Sequence, residues 1–181
     1  IMGHGITSAL GTGVLKSAYS MAVKDLGFKP IQLMKFLNRH FLGVISHLYA
    51  TCYYAIIDMR NKKVQFTKAG HPHPLFWKKR RQDFADIRCQ GTGLGLVKKA
   101  RFGRVSYPLE RGDRILFYTD GIIEQKNARG KMYTESRLRS VFRDLILHED
   151  ADIVNKIYED MKSFAGRREI EDDATLLLLE F

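Results

Sequence analysis

Three aspartates stand where apolar runs end or begin. Asp120 closes Leu116-Phe117-Tyr118-Thr119 and is followed by Gly121; Asp172 and Asp173 precede Ala174-Thr175 and four consecutive leucines. An ionised carboxylate is costly inside a protein unless something pairs with it. If the strand that ends at Asp120 and the strand that follows Asp173 are neighbours, these carboxylates converge at one sheet edge, where a divalent cation is their natural partner. An all-oxygen set suits magnesium, manganese or calcium rather than zinc. Two such ions close together can hold a water, lower its pKa and orient it for attack on a phosphate. Taken singly, each aspartate reads equally well as a cap or a turn residue.

The elements that must position these residues follow from periodicity. Thr7 or Ser8 can cap a helix running to about Lys24, with Leu10, Val14, Ala18, Met21 and Ala22 at helical spacing and Gly27 as its stop. Pro30 opens a second helix carrying Leu33, Phe36, Leu37 and Phe41. From position 48 the period changes. Strands are expected at 48–59, 64–68, 75–77, 84–88, 102–107 and 114–119, with a polar turn at 60–63 and another at Arg111-Gly112-Asp113. Helices follow at 135–147 and 153–164, and a last strand at 174–181. Two helices, a meander of strands, two helices and a final strand are not alternating βαβ units. Antiparallel sheet with helices packed outside is the better fit, an α+β class. The unbroken apolar runs at 115–118 and 176–179 suggest strands covered on both faces, which two sheets face to face with helices outside would provide.

The whole chain, 1–181, is expected to be a single domain, long enough to bury a substantial core. Thirty Lys and Arg against twenty Asp and Glu give a net charge of +10. Basic residues cluster at 78–81, at 98–101 and at Arg167-Arg168, a balance that favours acidic partners. No zinc-finger spacing, RNA-binding signature or recognition helix accompanies them, so nucleic acid is not the expected partner, and the run after Trp77 reads as a solvated hairpin tip. Cys52 and Cys89 form no metal pattern and no disulfide framework; reduced thiols and a cytoplasmic setting are expected, with a membrane tether on a longer chain left open. His71 and His73 flank Pro72 and precede Pro74 in a turn, where a structural role is expected. His40, His47 and His148 have no evident partner, and Glu124 reads as solvent-facing or as a neighbour of the site.

Five segments taken together carry a family resemblance. They are Gly3-His4-Gly5-Ile6-Thr7-Ser8-Ala9-Leu10, Ala69-Gly70-His71-Pro72-His73-Pro74-Leu75, Gly93-Leu94-Gly95-Leu96, the run from Arg111 through Tyr118-Thr119-Asp120-Gly121 to Glu124, and Asp172-Asp173-Ala174-Thr175. In order and spacing they closely resemble the SpoIIE/RsbU-type serine phosphatases of the PPM superfamily of metal-dependent protein phosphatases. The resemblance implies a four-layer α/β/β/α sandwich of two antiparallel sheets flanked by helices. It implies two Mn or Mg ions held by aspartates, and hydrolysis of phosphoserine or phosphothreonine by a water held between them. By position, Asp120 and Asp172 match metal ligands, with Asp173 the less certain neighbour. His4 is a candidate for contact with a phosphate oxygen, or else structural. The backbone carbonyl of Ile1 matches a further ligand.

The first motif departs from the family pattern, in which an aspartate stands three residues before Gly-His-Gly. Here Ile1-Met2 fill the variable positions, so that aspartate would precede Ile1. The chain therefore reads as a piece of a longer protein that lacks the first strands, and these 181 residues are expected to bind metal weakly and to show little phosphatase activity. The family context implies a sensor domain N-terminal to this one and a phosphorylated anti-anti-sigma-like protein as substrate. The unpaired sheet edges invite pairing with a second copy, a homodimer. The alternative is a catalytically inactive phosphatase-fold module that docks partner proteins.

Overall fold

The computed structural model describes residues 1, 5–26, 29–44, 48–170 and 172–181. The expected stop at Gly27, the site candidate His4 and His47 lie outside these. By their contacts the described residues form two compact units, Ile1–His73 with Asp86–Glu110, and Pro74–Ala85 with Arg111–Phe181. Both are mixed helix and antiparallel sheet, as the α+β expectation requires.

In the first unit, helix α1 spans Ile6–Leu26 and α2 spans Pro30–Phe41. α1 begins directly after Gly5, whose positive φ of 83° turns the chain into it; Thr7 and Ser8, expected as caps, lie inside its first turn. α2 starts on Pro30, whose ring presets the helical φ and whose missing N–H costs nothing there. Its buried Leu33, Met34, Leu37 and Phe41 follow helical spacing and pack with Ala18 and Ala22 of α1. The sheet has strand order β1-β2-β5, with β1 at Cys52–Asp58, β2 at Lys63–Ala69 and β5 at Val105–Pro108. β1 is shorter than the expected 48–59, because Ala50 leaves the β2 ladder and bridges Leu94 instead. That bridge fixes the Gly93-Leu94-Gly95-Leu96 loop. Buried Asn38 of α2 completes the fixing, accepting from Gly95 N at 2.9 Å and donating to Val97 O at 3.1 Å. Cys89 is buried, and enclosure of the Cys52 sulfur beside Met34 Sδ pushes its thiol up to about 12. His40 and His148, for which no partner was evident, do have one: Phe36 O at 2.9 Å and Asp144 O at 2.7 Å; His71 meets Thr51 Oγ1 at 3.1 Å.

In the second unit the sheet order is β4-β3-β6-β7, all antiparallel. β3 spans Leu75–Lys78, β4 Asp83–Phe84, β6 Arg114–Tyr118 and β7 Leu176–Glu180. β4 is two residues rather than the expected 84–88: its ladder with β3 holds only Trp77↔Phe84 and Lys78↔Asp83, and Asp86 and Arg88 pair with each other in solvent. Helices α4 (Glu135–Leu147) and α5 (Ile153–Ala165) bury Leu138, Phe142, Ile146, Ile157 and Met161 against Trp77, Leu116 and Tyr118. Phe76 and Ile115, paired across β3 and β6, face the other way and are fully buried too, so these two strands are covered on both faces. β7 is not. It is an edge strand, and Leu177 is 54% exposed, so the four leucines are half-solvated rather than doubly buried. A short helix α3, Asp120–Ile123, was not expected at all.

The basic hairpin tip also needs correction at its first residue. Lys78 is buried, and its Nζ donates to the carboxylate of Asp113, which also accepts from Lys79 N at 3.1 Å. Asp113, read as a turn residue, has no exposed surface.

Candidate metal centre

β6 delivers Asp120, and β7 is preceded by Asp172 and Asp173. The two strands pair antiparallel from Arg114↔Glu180 to Tyr118↔Leu176, so the end of one and the start of the other meet at one end of the sheet. Beyond the last ladder pair the contact continues through a side chain. Thr119 N donates to Thr175 O at 3.2 Å. Thr119 Oγ1 donates to Asp173 O at 2.9 Å and accepts from Thr175 N at 2.9 Å. Asp172 turns back on itself, its Oδ1 accepting from Asp173 N at 2.8 Å.

Thr119 is extended and serves as the N-cap of α3, and Glu124 N closes the turn on Asp120 O at 2.9 Å. The φ of Gly121 is not in the left-handed region. Its role is space: a Cβ there would stand 2.6 Å from Asp173 O, well inside contact distance. The missing side chain lets the Asp172–Asp173 backbone lie directly on α3. Asp120 is half-buried, while Asp172 and Asp173 are exposed.

The structure therefore brings Asp120, Asp172 and Asp173 to one sheet end. Ile1 belongs to the other unit and is exposed; His4 lies outside the described residues. Glu124 is exposed. Carboxylate and backbone oxygens, brought together by the close approach at Gly121, fit a hard divalent cation in kind. In number they make a partial shell: among the described residues no group of three or more His, Cys, Asp or Glu is poised to enclose an ion.

Two features of this end were not anticipated. Gln125, just after α3, is only 2% exposed, and its Nε2 donates to Lys126 O at 3.1 Å and Glu169 O at 3.2 Å. Tyr133 and Arg137 meet on Asp160 of α5: the Tyr133 hydroxyl donates at 2.7 Å and the guanidinium at 2.9 Å twice. Arg137, and secondarily Tyr133, hold the Asp160 carboxyl below the usual range against the opposing effect of burial. A glutamine and an aspartate in polar text carry no periodic signal, so neither could be singled out beforehand.

A family model described as Stage II sporulation protein E (SpoIIE) matches residues 1–181. The phosphoserine phosphatase RsbU of Bacillus subtilis is 25% identical over 180 residues, covering 99% of this chain and 53% of its own length, so the chain spans about half of that curated relative. The SiaA-PP2C domain of Pseudomonas aeruginosa superposes with a TM-score of 0.86 at 18% identity, covering 99% of this chain and 71% of that one. The phosphatase domain of SpoIIE from Bacillus subtilis, presoaked with Mn, does so with a TM-score of 0.60 at 18% identity, covering 99% and 74%. These likenesses establish the expected fold class, that of the PP2C-type phosphatase domains.

Proposed function

Since the chain belongs to the SpoIIE family, we propose that it is a metal-dependent protein serine/threonine phosphatase domain acting on a regulatory phosphoprotein in bacterial signalling. The observation that carries this is the joining of Asp120 to the Asp172–Asp173 segment through Thr119 and Gly121. The name of the matched relative, a phosphoserine phosphatase, supports the substrate class.

Asp120 and Asp172 are the residues that would hold Mn or Mg ions, with Asp173 beside them. Bound there, the ions would supply a water acidified for attack and would neutralise charge on the phosphoryl group. The chain's own part is preorganisation. Thr119 fixes the spacing of the two carboxylate segments, and Gly121 lets them approach. Because cation binding needs ionised carboxylates, activity falls as these are protonated. The substrate we infer is a phosphorylated anti-anti-sigma-like protein, with a sensor domain in the same longer chain.

The test is hydrolysis of a phosphoserine peptide by the full-length protein with and without added Mn²⁺. Asp120→Asn is expected to abolish turnover with the fold intact by circular dichroism. Metal-independent turnover, or turnover unchanged by Asp120→Asn, would remove the reading. Full partner binding with no turnover by the unsubstituted protein would favour the docking alternative.

A further inference from the structure

We propose that Gln125 is a positioning residue that holds the segment bearing Asp172 and Asp173 in place against Asp120; this rests on the reading of those carboxylates as cation ligands. Gln125 lies two residues after α3, in a connection that is otherwise polar and partly solvated, yet it is itself buried. Its amide nitrogen has two protons, and both are spent on backbone carbonyls, Lys126 O and Glu169 O. The second of these ties the stretch after Asp120 to the stretch three residues before Asp172. Arg168 Nη1, donating to Asn127 O at 3.3 Å, adds a weaker tie beside it.

Gln125 is held in its turn. Its backbone carbonyl accepts from Tyr133 N at 2.8 Å, Lys126 bridges Met132, and Thr134 N donates to Ile123 O at 2.8 Å. Tyr133 is anchored on α5 through Asp160. The amide therefore projects from a fixed frame. Downstream, Thr119 grips Asp173 O and Thr175 N. Asp172 and Asp173 are thus flanked by two anchors, Thr119 at Asp173 and Gln125 at Glu169. A residue of extended chain covers about 3.5 Å. Releasing the Glu169 end therefore lets Asp172 move by distances that matter to a coordination shell, without touching the helical core.

Two variants of similar size separate this role from simple core packing. Gln125→Leu removes both donors, and Gln125→Glu replaces the amide with an oxygen that repels the Glu169 carbonyl. In each, amide hydrogen exchange across residues 169–175 is expected to quicken while α4 and α5 keep their protection. The Mn²⁺ dissociation constant, read from the electron paramagnetic resonance signal of free Mn²⁺, is expected to rise about 10-fold or more. Unchanged exchange across 169–175 in both variants would overturn the proposal, as would faster exchange with undiminished Mn²⁺ affinity. If the unsubstituted protein takes up no Mn²⁺, the metal reading falls. Exchange then decides alone whether Gln125 holds the segment.

Discussion

Thr119 and Asp173, 54 positions apart in sequence, are joined by a 2.9 Å hydrogen bond from the threonine hydroxyl to the aspartate backbone carbonyl, and Thr119 Oγ1 itself accepts from Thr175 N. One hydroxyl thus splices the two carboxylate segments. Thr119→Val keeps the shape and deletes both bonds. A loss of about 1–3 kcal/mol in urea denaturation is expected, together with weaker Mn²⁺ binding. Thr119→Ser should restore most of both, and a valine variant as stable and as competent as the parent would contradict the splice.

Gly121→Ala probes the close approach. The added methyl would lie 2.6 Å from Asp173 O, against backbone that cannot rotate away as a side chain would. An overpacking cost of about 1–3 kcal/mol is expected, with loss of Mn²⁺-stimulated phosphatase activity out of proportion to it. Thermal melting and turnover of the same preparation check both. Full activity in the alanine variant would mean that the approach is not required.

The Lys78–Asp113 pair is a matter of stability alone. Both groups are buried, so Asp113→Ala leaves an ammonium without its counter-charge, at a cost of about 3–5 kcal/mol. The Lys78→Met, Asp113→Ala double variant should be much less impaired than the sum of the single variants, because contacting charges couple. Strict additivity in denaturant unfolding would show that the two do not form a unit.

Asp160 gives a pH dependence whose sign is determined by its environment. Its carboxyl is held below the ordinary value, chiefly by Arg137. The stabilisation is therefore complete above the unfolded value of about 3.9 and is lost as pH falls through the lower native value. Asp160→Asn should be less stable than the parent at neutral pH by roughly 0.5–1 kcal/mol, since Arg137 is open to water. The gap should close in acid; a gap that widened there would reverse the assignment.

Much of this was legible in the residues. Asp120 and Asp172 lie beside short apolar runs bounded by turn residues, a pattern that reads as buried strand. α4 matches its expected bounds, with Thr134 as the cap and Leu138, Phe142 and Ile146 on one face. What stayed hidden depends on neighbours rather than on pattern. Four leucines in a row say nothing about how many strands flank them, so β7 was misread as doubly covered. Arg111-Gly112-Asp113 has the composition of a solvated turn, and only the fold brings Lys78 to Asp113. Gln125 is polar and aperiodic, and its burial follows from where Glu169 lies.

The pairing of β6 with β7 also sets a timetable. β7 is the last strand of its sheet to leave the ribosome, and it must close a loop of more than fifty residues to reach β6. Until it does, Thr119 has no Asp173 to hold and Asp120 stands without its companions. The site is thus assembled among the latest contacts of this unit. A nascent chain whose helices have already formed would still lack the juxtaposed carboxylate segments.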